Sequence, residues 1–144
     1  MKAKTLFLIA ILLILTGSAF AYTDISADGV KAKMDAHEDI LLLDVREPGE
    51  YDPGHIPGAV NYPYSSGVLQ ARFGDLPTDK PIIVICQSGA RSAAASAFLV
   101  GKGFGQILNM PGGMNGWTYE TITTEEEQTP VQGGSWASIK GLFR

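Results

Sequence analysis

The chain has 144 residues, of which 45% are hydrophobic, and a formal net charge of −4, so it can supply one hydrophobic core and a single domain is expected. An acidic chain without a basic stripe is not typical of proteins that bind nucleic acid or an anionic membrane surface. The single cysteine excludes an internal disulfide, the two histidines are scattered, and no phosphate-loop or dinucleotide fingerprint occurs, so neither a metal ion nor another cofactor is expected.

The first 21 residues have the pattern of a secretory signal peptide. Lys2 and Lys4 precede the apolar run 6–15, and Ala19-Phe20-Ala21 is a small-x-small cleavage site. An uncleaved membrane anchor is the alternative, but the run is shorter than the roughly 20 apolar residues that span a bilayer. We therefore expect cleavage after Ala21 and a periplasmic or secreted protein that has no stable membrane insertion. Cleavage removes two lysines and no acid, which lowers the formal charge from −4 to −6.

The first half of the mature chain alternates between strand and helix signals. Residues 23–25 are predicted to form a short edge strand, and Ser26 is the predicted N-cap of a helix that ends near His37. The apolar run 40–45 is typical of a strand buried on both faces of a parallel sheet. The elements that follow are a helical turn over 47–51, a loop over 54–63 that enters a brief strand, and a helix over 68–73.

The second half continues the alternation. Residues 81–85 are β-branched and apolar, which indicates another buried strand, and an alanine-rich helix runs from the loop after Cys86 to about Lys102. Gly103 is the predicted stop of that helix, and residues 106–109 are the last predicted strand. The alternation predicts an α/β sandwich with a mainly parallel central sheet flanked by helices.

The only cysteine lies where the strand 81–85 ends and the following helix begins. Gly89 permits a sharp turn there, so several backbone N–H groups of the loop would point at the sulfur. Together with the helix dipole they would favour the thiolate of Cys86. Arg91 adds a permanent cation with a planar donor fork that suits an oxyanion such as thiosulfate or sulfite. The alternative is that Cys86 is one more small core residue, as most free cysteines are.

Residues 119–144 differ in character from the predicted domain, 22–118. The run Glu125-Glu126-Glu127 and the lack of apolar residues between Ile122 and Thr129 indicate a solvated acidic linker. Beyond it, three apolar residues recur at helical spacing, which favours a short helix docked on the domain over a motif for a protein partner. These three are Trp136, Ile139 and Phe143.

Four separated motifs make the chain resemble a single-domain rhodanese from about Asp24 to Trp117. They are Leu43-Asp44-Val45-Arg46-Glu47 with Glu50-Tyr51, Gly54-His55-Ile56-Pro57-Gly58-Ala59 with Asn61, Cys86 to Arg91, and Gly112-Gly113 with Trp117. The resemblance implies the rhodanese-like three-layer sandwich, with a six-residue loop around the cysteine sulfur. It also implies sulfane-sulfur transfer: the Cys86 thiolate takes sulfur from thiosulfate or a polysulfide and passes it from a persulfide to a thiol or cyanide.

The loop length bears on the choice of substrate. Phosphatase-like members of this fold have seven residues from cysteine to arginine, whereas this chain has six, which favours sulfur over phosphoryl chemistry. The resemblance makes Cys86 the catalytic residue. The expected substrate-binding residues are Gln87, Ser88, Gly89, Ala90, Arg91 and Ser92, through loop N–H groups and the Arg91 side chain.

Other motif residues carry weaker expectations. Arg46 stands at the carboxyl end of a strand, where α/β sheets bind ligands, and could add positive field or form a structural ion pair with Asp44. Some two-domain rhodaneses have a second arginine where this chain has Glu50. His55 is expected in a structural turn. The alternative function is a noncatalytic sulfane-sulfur carrier or binding module that serves a partner enzyme.

Overall fold

The structure, a computed structural model, describes residues 21–129. Five strands lie within these residues: β1 (Thr23–Asp24), β2 (Leu41–Asp44), β3 (Val60–Asn61), β4 (Ile82–Ile85) and β5 (Ile107–Asn109). They form one parallel sheet in the order β1-β5-β4-β2-β3. The predicted α/β architecture with a parallel sheet is confirmed, and β1 lies at an edge as predicted. The predicted signal peptide, apart from Ala21, and the apolar positions of the tail lie outside the described residues.

Helices connect the strands and cover the sheet. They are α1 (Ala27–Asp35), α2 (Pro48–Tyr51), α3 (Val68–Arg72), α4 (Ala90–Gly101) and α5 (Thr124–Gln128), with short 3-10 helices over Phe73–Asp75 and Gly113–Gly116. Among residues 21–129, no helix is long and apolar enough to cross a bilayer.

The central strand β4 is buried along its whole length, because hydrophobic clusters lie on both sides of the sheet. Ile82 and Val84 belong to one cluster, together with Leu99 of α4. Ile83 and Ile85 belong to the other, together with Val30 of α1. Successive residues of a strand point to opposite faces, so an unbroken apolar run is what a three-layer sandwich requires of its central strand.

The ends of the helices follow the capping signals of the sequence. The Ser26 side chain accepts a hydrogen bond from the Gly29 N–H at 3.0 Å, as expected of an N-cap. Helix α1 ends at Asp35, two residues before the predicted end, and His37 is exposed with a left-handed backbone. Gly103 follows α4 with a φ of 94° and stops it.

Residues 121–129 contact the domain and include the helix α5, while Glu125, Glu126 and Glu127 are exposed, as the acidic run predicts. Ile122 exchanges two backbone hydrogen bonds with His55, each of 2.9 Å. Thr123 and Glu126 form a reciprocal capping box at the start of α5, and Thr124 Oγ1 donates to Asp52 at 2.8 Å. Acidic residues in a first turn are stabilised by the helix dipole, so the charge run belongs to a capped helix attached to the domain.

Candidate active site

Cys86 lies between β4 and α4, at the carboxyl edge of the sheet, and only 1% of its surface is exposed. The loop turns at Gly89, whose φ of 98° is in the left-handed region. A Cβ on Gly89 would lie 2.0 Å from the carbonyl oxygen of Pro111, so no larger residue fits. Helix α4 begins at Ala90. The strand, cysteine and helix therefore have the predicted arrangement.

The sulfur of Cys86 lies against a backbone N–H group and a serine hydroxyl, and that hydroxyl itself donates to the Gly89 carbonyl at 3.0 Å. The Gly89 N–H donates to Sγ at 3.0 Å, and Ser92 Oγ lies 3.5 Å from Sγ. Burial by itself raises the pKa of the Cys86 thiol, but the Ser92 hydroxyl and loop N–H groups more than offset it and hold the pKa below the ordinary value. The contributing N–H groups are those of Ser92, Ser88 and Gly89. The site thus favours a thiolate, which is the nucleophilic form.

The 3-10 helix over Gly113–Gly116 holds the loop from behind. Its Met114 N–H donates to the Cys86 carbonyl at 2.8 Å, and its Asn115 N–H donates to the Gln87 carbonyl at 3.0 Å. These two hydrogen bonds fix the orientation of the Cys86 and Gln87 peptides, and with it the start of the loop that carries the Ser88 and Gly89 N–H groups. The Gly112-Gly113 motif therefore lies directly behind the cysteine loop, where it serves loop geometry.

Arg91 forms a bidentate ion pair with Glu50. Nη1 and Nη2 of Arg91 lie 2.6 Å and 2.7 Å from the two carboxylate oxygens. The Arg91 hydrogen bonds lower the pKa of Glu50, and the Glu50 hydrogen bonds raise the pKa of Arg91. The predicted anion-binding fork is therefore already filled by a carboxylate, for which an incoming oxyanion must compete.

Arg46 lies in the scaffold rather than at the pocket. It is only 3% exposed, and its Nε and Nη2 bind the buried Asp44 carboxylate at 2.7 to 3.0 Å. Nη1 and Nη2 also donate to the carbonyls of Glu50 and Gly54 at 2.9 Å, and Nη1 reaches Gln87 Oε1 at 3.3 Å. A buried carboxylate requires a paired cation, and that pairing uses the guanidinium, so the geometry favours the structural ion pair with Asp44 over the tentative substrate-binding role of Arg46.

The other side chains of the cysteine loop are either exposed at its surface or bound to the 3-10 helix behind it. Ser88 and Ala90 are exposed, so their side chains lie at the rim while their backbone belongs to the loop. Gln87 turns sideways, since its Nε2 donates to Asn115 Oδ1 at 2.7 Å. Of the loop N–H groups, that of Gly89 donates to Sγ, and those of Ser88 and Ser92 also lower the pKa of Cys86. The binding of substrate by the loop stays a prediction.

His55 has the structural role that was expected of it. It is fully buried, and its ring stacks on Tyr51 with the ring centroids 3.8 Å apart. Nδ1 lies 3.1 Å from the Tyr51 carbonyl oxygen, and Nε2 lies 3.5 Å from Glu127 of α5. These contacts tie α2 to the segment that carries α5.

Sequence reasoning did not identify Glu50 as the partner of Arg91. The two residues are 41 positions apart, and only the pairing of β2 with β4 brings the loops after these strands together. A usable signal was present: an acid and a base each follow one of two apolar runs whose carboxyl ends meet at one edge of a parallel sheet.

Comparisons with known proteins agree with this geometry. The family model described as "Rhodanese-like domain" matches residues 26–120. A sulfurtransferase of Allochromatium vinosum is 35% identical over 94 residues, which are 65% of this chain and 86% of that protein. The thiosulfate sulfurtransferase GlpE of Pseudomonas syringae is 39% identical over 93 residues, 65% of this chain and 81% of that protein. The crystal structure of a rhodanese-related protein from Thermoplasma volcanium superposes with a TM-score of 0.62 at 36% identity, covering 70% of this chain and 98% of that one.

Proposed function

The chain belongs to the family of rhodanese-like domains, and from that premise we propose that it is a thiosulfate- or polysulfide-dependent sulfurtransferase with Cys86 as its sulfur carrier. The observation that carries the proposal is the buried sulfur that accepts the Gly89 N–H at 3.0 Å inside a six-residue loop. Relatives named as sulfurtransferases, at 35% and 39% identity, support the reaction class.

The first half-reaction loads sulfur onto the protein. The Cys86 thiolate attacks the outer sulfur of thiosulfate, a new S–S bond forms, and the S–S bond of the donor breaks with its electron pair leaving on sulfite. The charge balances, because a thiolate and a dianion become a persulfide anion and a dianion. The lowered pKa of Cys86 supplies the thiolate, so this step needs no general base.

The second half-reaction passes the sulfur on. An acceptor thiolate, or cyanide, attacks the outer sulfur of the persulfide, and Cys86 leaves as a thiolate. The products are a small persulfide or thiocyanate. Loop N–H groups such as that of Gly89 stabilise negative charge on sulfur in both the thiolate and the persulfide of Cys86. The same groups therefore activate Cys86 as a nucleophile and favour its departure as a thiolate.

We also propose that the protein is exported to the periplasm or secreted. The charged start, the apolar run and the small-x-small site of residues 1–21 are the basis for proposing export and cleavage. Mass measurement of the protein recovered from the periplasm of an expressing bacterium should give an N-terminus at Tyr22. Recovery of the uncleaved chain from the cytoplasm alone would contradict export.

Steady-state kinetics with thiosulfate and cyanide test the reaction itself. Because a covalent persulfide separates the two half-reactions, double-reciprocal plots at several fixed cyanide concentrations should give parallel lines. The matched variant Cys86→Ser should show no turnover. A single round of about one sulfur per protein without turnover would contradict an enzyme and favour the alternative, a sulfane-sulfur carrier that serves a partner.

A further inference from the structure

Glu50 neutralises Arg91, whose guanidinium lies within electrostatic range of the Cys86 sulfur. We propose that Glu50 is a specificity-determining residue, which covers the Arg91 fork and thereby selects against compact dianionic donors in favour of donors that carry one negative charge. This inference rests on the sulfurtransferase function proposed above and names the class of donor that the same pocket prefers.

The pairing of the two side chains uses the recognition face of the guanidinium. Both Nη atoms of Arg91 bind the two oxygens of Glu50, at 2.6 Å and 2.7 Å. This is the bidentate geometry by which an arginine would bind a sulfonate or sulfate group. An oxyanion that used Arg91 would therefore have to displace a carboxylate that is already held with the same geometry.

Glu50 is anchored in its position. Its carbonyl accepts a hydrogen bond from Arg46 Nη1 at 2.9 Å, and Arg46 is itself fixed by the buried Asp44 carboxylate. Its Oε2 accepts the Glu47 N–H at 3.3 Å. Holding the backbone and one carboxylate oxygen keeps the negative charge beside Arg91 when a donor arrives.

The charges around the pocket consequently favour a weakly charged donor. Arg91 is balanced by Glu50, and Arg46 is balanced by Asp44. The Arg91 guanidinium also feels the charges of Cys86 and Glu47, so the thiolate and a second carboxylate lie within its electrostatic range. A dianion meets about twice the repulsion that a monoanion meets in such a field.

Two donors of the same chemistry isolate this effect. Thiosulfate carries two negative charges and methanethiosulfonate carries one, and both present an outer sulfur bound to a sulfonyl sulfur. In each case the Cys86 thiolate forms one S–S bond while the donor S–S bond breaks, and sulfite or methanesulfinate leaves with the electron pair. No proton, oxidant or reductant is required. The two donors differ in intrinsic reactivity. The measured quantity is therefore the ratio of kcat/KM for thiosulfate to kcat/KM for methanethiosulfonate, and how this ratio changes from the wild type to each variant.

The decisive variant is Glu50→Gln, which keeps the shape of the side chain and removes its charge. We expect kcat/KM for thiosulfate to rise about tenfold and that for methanethiosulfonate about threefold at low ionic strength, mainly through KM. Glu50→Asp retains the charge and should keep the wild-type ratio. The control is Asp75→Asn, which removes an exposed carboxylate paired with Arg72 on another part of the domain; the ratio should not change.

A measurement without mutation supports the same test. In the wild-type protein, added inert salt should raise kcat/KM for thiosulfate relative to methanethiosulfonate, because screening weakens repulsion more for the dianion. An unchanged ratio in Glu50→Gln, or a relative fall with salt, would overturn the role of Glu50. Failure of the wild-type protein to accept sulfur from either donor would overturn the sulfurtransferase function itself, so the two failures are distinguishable.

Discussion

A Cβ atom on Gly113 would lie 2.5 Å from the carbonyl oxygen of Cys86, and Gly113 has a φ of 54°. The back wall of the nucleophile loop can therefore approach it only because this residue lacks a side chain. That contact directs the Cys86 and Gln87 carbonyls toward the Met114 and Asn115 N–H groups. The distant glycine motif is thus a structural part of the cysteine loop.

Gly113→Ala should displace the loop. We expect it to lower the free energy of unfolding by about 1 to 3 kcal/mol and kcat/KM by at least about tenfold, because both strain and a backbone clash must be relieved. Gly116→Ala is the matched control, since a Cβ there meets nothing within 4 Å. Urea unfolding and the cyanide assay check both quantities, and equal effects of the two variants would refute the role of Gly113.

Ser92→Ala removes the hydroxyl that lies 3.5 Å from Sγ. The pKa of the Cys86 thiol should rise, because the first of the interactions that lower it is lost. At a pH below the pKa of the wild-type thiol, a smaller fraction of the variant is thiolate, so its alkylation by iodoacetamide should be roughly three- to tenfold slower than that of the wild type. Ser96→Ala, a buried serine on the same helix, should leave the pH profile of alkylation unchanged. An identical effect of both substitutions would mean that the Ser92 hydroxyl does not stabilise the thiolate.

Arg46→Ala should be among the most destabilising substitutions of a charged residue in the domain. It leaves the buried Asp44 carboxylate without its bidentate partner, which costs about 3 to 5 kcal/mol in comparable buried pairs. Arg46→Lys should recover only part of the loss, because an ammonium cannot reproduce the fork. Arg72→Ala, which breaks an exposed pair, should cost less than about 1 kcal/mol. Similar unfolding free energies for Arg46→Ala and Arg72→Ala would contradict the scaffold role.

The ionisation of Cys86 should be visible in the stability of the protein. Because the folded-state pKa of the thiol is lowered, its contribution is fully present above the unfolded-state pKa and is lost as the pH falls through the folded-state pKa. The unfolding free energy of the wild type minus that of Cys86→Ser should therefore grow as the pH rises from below the lowered folded-state pKa toward the unfolded-state pKa of about 8.5. A difference that stays level or shrinks with rising pH would show that the loop does not stabilise the thiolate.

The sequence predicts local features of this fold well, because each has a local physical cause. The apolar runs that become β2 and β4 require burial on both faces, Ser26 supplies a cap, and Gly89 permits the turn after Cys86. These signals place the nucleophile at the carboxyl edge of the sheet. The six-residue distance to Arg91 can also be counted directly.

Features that depend on contacts across the sheet were not predictable in the same way. The Glu50–Arg91 pair joins two loops 41 residues apart. Whether Arg46 binds substrate or pairs with Asp44 depends on how deeply Asp44 is buried, which the sequence does not show. Helix α5 is different, because its Thr-x-x-Glu capping box is local. The expectation of a linker followed from the acidic composition alone and did not use the capping signal of Thr123 and Glu126, which the sequence contains.

Sulfur transfer through Cys86 is tested most directly by isolating the loaded protein. The wild type is treated with thiosulfate, freed of the donor, and analysed by peptide mass spectrometry before and after addition of cyanide. The peptide that contains Cys86 should gain about 32 Da, and cyanide should remove that mass while releasing about one thiocyanate per protein. No gain on this peptide with thiosulfate or polysulfide, or equal transfer by Cys86→Ser, would contradict a Cys86 persulfide.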